Sequence, residues 1–129
     1  MRLIVDTHIL IWMILSPHLL PPAAKAIIED ESNDVIVSVV SLWEVAIKRR
    51  LGRASAPAAS TQTFLEECAA INVAILPVAA QHALSVETLP LLHGDPFDRL
   101  IVAQAISEQV HLLTHDRHLA GYSDLVMYI

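Results

Sequence analysis

The sequence is short of cysteine, glycine, aromatic residues and cations, and each shortage closes off a class of chemistry. Cys68 is the only cysteine in 129 residues, which excludes an intrachain disulfide and a thiolate metal cage. Its neighbours Glu66 and Glu67 supply no activating base, so it reads as a buried structural thiol. Three scattered glycines cannot build either of the glycine-rich phosphate loops. With only 5% Phe, Trp and Tyr, the interior must be made of Leu, Ile, Val and Ala. The apolar run over 9–15 is far too short to span a membrane. An acid arrives already at Asp6, too soon for a secretory leader, and a cytoplasmic location is the expectation. Eight Lys and Arg stand against 14 Asp and Glu, for a net charge of −6. That balance lacks the basic footprint of a nucleic-acid binder, unless some of the acids hold metal and so cease to repel phosphate.

What the chain does contain is apolar and regular. The hydrophobic fraction is 54% and the mean hydropathy +0.52, values that suit a fully buried parallel sheet plus an apolar surface kept for a partner. At this length, one domain over 1–129 can bury a core unaided. Strands are predicted over 2–5, 35–40, 73–76 and 111–114, with a last edge strand over 125–129. Between them, helices are predicted over 7–15, from Pro22 to 31, from Ser41 to Gly52, from Ser60 or Thr61 to 70, over 79–89, and from Pro96 to 108 or 109. Such alternation implies a three-layer α/β/α sandwich with a mainly parallel sheet of four to five strands. The 29–34 acidic run reads as solvated surface, and His82 as a surface or hydrogen-bonded helix residue.

The chemistry lies in the acids. Asp95 stands where an N-cap belongs, Pro96 takes the first helical position, and Asp98 falls in the first turn. Asp6, Glu44, Asp98 and Asp116 each sit where a predicted strand gives way to a loop or helix, and in an open α/β sheet that edge is the ligand site. Four carboxylates gathered there repel one another, and a hard divalent cation such as Mg2+ or Mn2+ is the usual reason to tolerate it. The hydroxyls of Thr7, Ser41 and Thr114 are placed to support the acids by hydrogen bonds. A plainer use competes for Glu44: Ser41 and Glu44 have the spacing of a capping box. Half of the cations are Lys48, Arg49, Arg50 and Arg53. Lys48 lies four residues after Glu44, the spacing of a helical ion pair, and the group also suits a track for a phosphate backbone.

Other chemistries have weaker support. His111, His115 and His118 crowd around Asp116, but half strand and half turn is a poor frame for a zinc site. Ser38 and Ser41 lack the Gly-x-Ser-x-Gly elbow of a nucleophilic serine. An aspartate that accepts a phosphoryl group from the first strand generally wants a second acid two residues on, where this chain has His8.

Taken together, Val5-Asp6-Thr7-His8, Ser38 with Ser41-Leu42-Trp43-Glu44-Val45-Ala46-Ile47-Lys48, Asp95-Pro96-Phe97-Asp98-Arg99 with its Leu-Ile-Val-Ala-Gln-Ala helix, and Leu113-Thr114 with Asp116 resemble the four motifs of PIN-domain ribonucleases, and among them the VapC-type toxins. The resemblance runs through nearly the whole chain in order. It implies an α/β/α sandwich, Mg2+- or Mn2+-dependent cleavage of RNA, a homodimer, and a VapB-like antitoxin partner. It matches Asp6, Glu44, Asp98 and Asp116 to the metal-binding acids, with Asp6 and Asp98 as principal ligands and Asp95 as a cap with a supporting role. Arg99, Lys48 and Arg49 are then expected to meet phosphate. The pattern departs at His118-Leu119, where an aromatic is common. A structure-specific DNA nuclease and a non-catalytic binding module are the alternatives that the same residues leave open.

Overall fold

Strand β1 (Arg2–Val5) is central, and its residues after Arg2 are buried because both faces of the sheet are covered. The computed structural model describes residues 1–129. β1 pairs with β2 (Asp34–Ser38) on one side and β4 (His111–Thr114) on the other. β3 (Ala74–Leu76) and β5 (Val126–Tyr128) form the edges, giving the order β3-β2-β1-β4-β5. Every pairing is parallel, β5 included.

The two-residue period of the strands divides the core. Leu3 and Val5 enter one cluster with Ile9 and Leu10 of α1 (Thr7–Leu15), Ala24 of α2 (Pro22–Glu29), and Phe64 and Cys68 of α4 (Thr61–Ala70). Ile4 and Ile36 enter the other, with Ile101, Val102 and Ala105 of α6 (Pro96–Glu108). Two covered faces make the three layers expected from the alternation of elements. Cys68 is buried as expected, and its burial pushes the thiol pKa up. No helix is long and apolar enough to cross a membrane.

One expectation fails at the start of α3 (Val39–Arg50). Val39 and Val40 read as strand from their β-branching, yet they are helical, and β2 stops at Ser38. Ser38 caps the helix, its Oγ accepting the Val40 N–H at 3.0 Å and donating to Gln104 Oε1 of α6 at 2.5 Å. A cap held from both sides outweighs the modest strand preference of two valines. The competing capping box between Ser41 and Glu44 therefore does not form. Both residues lie inside the helix, three apart on one face, which leaves the Glu44 carboxylate available to other partners. Elsewhere, α1 and β4 match their expected ranges. α5 (Ala80–Val86) is shorter at both ends, and its buried His82 is satisfied: Nδ1 accepts the Ala79 N–H at 2.9 Å and Nε2 lies 2.8 Å from Glu108 Oε1.

Candidate active site

In a parallel sheet all strands end at the same edge, and here that edge carries the acids. Asp6 follows β1, Glu44 stands in α3 beyond the end of β2, and Asp116 follows β4. Asp98 sits in the first turn of α6. All four line one open cleft of about 440 Å³, together with Thr7, His8, Lys48 and Asp95.

Asp6 is nearly buried and caps α1. Its Oδ1 accepts the Ile9 N–H at 2.8 Å and its Oδ2 the Thr114 hydroxyl at 2.5 Å. Burial raises its pKa, against those hydrogen bonds and the neighbouring His8. The Thr114 oxygen also accepts the Asp116 N–H at 2.9 Å, so one hydroxyl sets the spacing of two acids. Glu44 is equally buried: Oε1 accepts from the Thr7 hydroxyl at 2.8 Å, and Oε2 meets Lys48 Nζ at 2.6 Å. Because the Thr7 proton goes to Glu44, the 2.9 Å contact between the Thr7 and Ser41 hydroxyls must take its proton from Ser41. Thr7 and Thr114 thus hydrogen-bond to acids directly, and Ser41 reaches Glu44 only through Thr7.

Asp95 Oδ1 accepts the Phe97 and Asp98 N–H groups at 2.8 and 3.1 Å, the capping expected of it. Asp98 is thereby turned into the cleft, where burial, and then the negative charges of Asp95, Glu44 and Asp6, push its pKa up to about 7 despite a hydrogen bond with His93. Asp116 goes the other way. Burial alone would raise it, but the backbone and ring of His118 and the charge of His93 bring it below the usual carboxylate range. Burial leads the rise at both Asp6 and Asp98, and neighbouring negative charge adds to it at Asp98. A donor set of carboxylate oxygens gathered in one cleft fits a hard divalent cation.

The cations divide. Lys48 lines the cleft, held by Glu44. Arg49 Nη1 donates to the Pro57 carbonyl at 2.7 Å, and Arg99 donates to the Pro90 carbonyl at 2.8 Å and the Tyr122 hydroxyl at 3.0 Å. Neither guanidinium lines the cleft. The three histidines considered for zinc do not converge. His111 opens β4, at the far end from the acids, and His115 turns to the rings of Trp12 and Tyr128. His118 alone of them touches an acid of the site.

His93 belongs to none of the acid motifs, yet its Nε2 lies 3.0 Å from Asp98 Oδ2 and 3.5 Å from Asp116 Oδ2. Its position two residues before the Asp95 cap was the available signal. The reach of a loop side chain cannot be read from spacing alone.

Comparison with known proteins points to one family. The family model described as PIN domain matches residues 3–125. Ribonuclease VapC22 of Mycobacterium tuberculosis is 31% identical over 121 residues, covering 92% of this chain and 90% of that protein. Among solved structures, VapBC2 from Rickettsia felis, bound to a DNA fragment from its promoter, superposes with a TM-score of 0.71 at 18% identity, covering 100% of this chain and 98% of that one. VapBC-5 from Mycobacterium tuberculosis gives 0.66 at 21% identity, covering 99% and 97%. At those identities the two structures speak for the fold.

Proposed function

The chain belongs to the PIN-domain family, and from that membership we propose that it is a metal-dependent endoribonuclease, the toxin of a VapBC-type toxin–antitoxin pair. The observation that carries the reading is the convergence of Asp6, Glu44, Asp98 and Asp116, from four separate segments, on one cleft. Nothing in the packing of the core requires four acids there. Their repulsion costs stability that a bound cation relieves.

Mg2+ or Mn2+ is the ion proposed, held by Asp6 and Asp98 with Glu44 and Asp116 completing the site. Bound there, it would supply a water of lowered pKa and charge for the leaving oxygen of a phosphodiester. The protein's part is to hold oxygen atoms in place. Thr114 fixes Asp6 against Asp116, and the Ser41–Thr7 pair fixes Glu44. Lys48, the one lysine or arginine lining the cleft, is the proposed contact to a phosphate of the RNA. A single nuclease domain over 1–129, acting in the cytoplasm, completes the reading.

A VapB-like antitoxin and a second copy of the chain are the proposed protein partners. Trp43, Leu51, Leu84, Leu91 and Leu92 are among the large apolar residues left at least half exposed, the kind of surface such partners would cover.

The test is cleavage of structured RNA and of flapped DNA, in parallel, with and without Mg2+ or Mn2+. The wild type should cut RNA only with metal, and Asp6→Asn or Asp98→Asn should abolish cutting while the circular dichroism spectrum stays unchanged. Undiminished cleavage by either variant would sink the assignment. Preferential cutting of DNA would transfer it to a DNA nuclease, and nucleic-acid binding indifferent to metal would make the protein a binding module.

A further inference from the structure

We infer that His93 is a ligand of the metal bound in this cleft, placing an imidazole nitrogen beside the carboxylates of Asp98 and Asp116 and biasing the site toward Mn2+ over Mg2+. The inference rests on the metal-dependent reading proposed above and adds a residue and a preference to it.

Nε2 of His93 stands 3.0 Å from Asp98 Oδ2 and 3.5 Å from Asp116 Oδ2, and the ligand atoms of the three residues all lie within 4.8 Å of one another. Ligands at right angles around an ion with bonds of about 2.1 Å stand about 3 Å apart, and opposite ones about 4.2 Å apart. The two separations from His93 Nε2, 3.0 and 3.5 Å, fall in that range. A single ring N–H serves the two carboxylates poorly: it reaches Asp98 at hydrogen-bonding length, but 3.5 Å is too long for Asp116. A cation placed among the three faces every one of them.

The ring is delivered by a main chain that is itself held. The Tyr122 hydroxyl accepts the His93 N–H at 2.9 Å and donates toward the His93 carbonyl at 3.4 Å. On its other side the ring lies nearly parallel to that of His118, with centroids 5.9 Å apart. His118 is in turn tied to Asp116, its N–H and its Nδ1 each 2.9 Å from Oδ1. Backbone and ring plane are both constrained, as a ligand's should be.

The choice of metal follows from the donor. Mg2+ prefers an all-oxygen shell and gives up water reluctantly, whereas transition ions, Mn2+ the weakest of them, accept imidazole nitrogen more readily. An imidazole at this position therefore separates two ions that carboxylates alone would hold alike.

The experiment uses the whole chain loaded with Mn2+. Electron spin-echo envelope modulation should show a nitrogen coupling on Mn2+ in the wild type and in His118→Ala, and none in His93→Ala. Calorimetric titration with each ion should show the Mn2+ dissociation constant rising about tenfold in His93→Ala, while that for Mg2+ changes by less than about threefold. His93→Gln, which keeps a polar side chain in the loop without the imidazole, should behave as His93→Ala does and guards against a folding defect. Mn2+ bound by the wild type without nitrogen coupling, or a coupling that survives His93→Ala, overturns the inference and leaves the metal-dependent reading standing. Failure of the wild type to bind either ion overturns both.

Discussion

Arg99 Nη1 lies 3.0 Å from the Tyr122 hydroxyl, and that same hydroxyl brackets the backbone of His93, so a cation outside the cleft governs a loop that enters it. Further bonds to the carbonyls of Val86, Leu89 and Pro90 make Arg99 the clasp of the segment leading to the acids of α6. Lys cannot replace that planar fork. Arg99→Ala and Arg99→Lys should both destabilise the protein, the former by about 2 kcal/mol, since each lost bond involves a charged donor. Urea unfolding measures the loss, and amide hydrogen exchange at His93 should quicken in both variants. Unaltered exchange at His93 would show that the clasp does not reach the loop.

The stability of the metal-free protein should fall as pH rises through the range in which Asp98 ionises. The folded-state pKa of Asp98 is pushed up to about 7 from an ordinary 3.8 by burial first and by the charges of Asp95, Glu44 and Asp6 second. Between those values the folded chain keeps a proton that the unfolded chain has lost, so stability declines as pH climbs from about 4 to about 7 and the full penalty stands above. Asp6, also raised by burial, adds in the same sense. Asp116 is lowered and contributes the opposite sign, with stability lost as pH falls through its folded value. Thermal unfolding in chelator should show the wild type gaining on Asp98→Asn as pH drops from about 8 to about 6. Parallel profiles for the two proteins would refute the raised Asp98.

Ser38→Ala removes a helix cap and strands a buried acceptor in one change. Ser38 and Gln104 are both fully buried, and the Gln104 Oε1 atom accepts from Ser38 at 2.5 Å. Loss of the cap costs about 1 kcal/mol and the unpaired amide oxygen about 1–3 kcal/mol more. A loss of about 2–4 kcal/mol in chemical denaturation is expected. Ser38→Thr, which keeps the hydroxyl, should lose less than Ser38→Ala. A Ser38→Ala protein as stable as the wild type would mean that Gln104 finds another donor.

Much of the fold could be read from the residues because local signals agreed. Pro96 behind Asp95, Thr7 behind Asp6 and the apolar strands all point one way, and α1, β4 and the start of α6 lie where expected. The reading failed at Val39 and Val40, where β-branching and a serine cap give opposing instructions. A cap wins there because Gln104, 66 residues along the chain, fixes the serine from outside. The same limit hid His93, whose partners are set by Tyr122, 29 residues away.

From the sequence alone came the four acids, the hydroxyls beside them and the parallel order that brings strand ends together, because helix caps, two-residue alternation and strand–helix alternation are local properties of the chain. The tertiary structure decided which of the charged groups meet. It tied Lys48 to Glu44 in the cleft, turned Arg49 and Arg99 to backbone carbonyls, dispersed the three histidines around Asp116, and set His93 between Asp98 and Asp116. The reason is reach: a long or loop-borne side chain takes the partner that packing presents, and spacing along the chain does not record what packing presents.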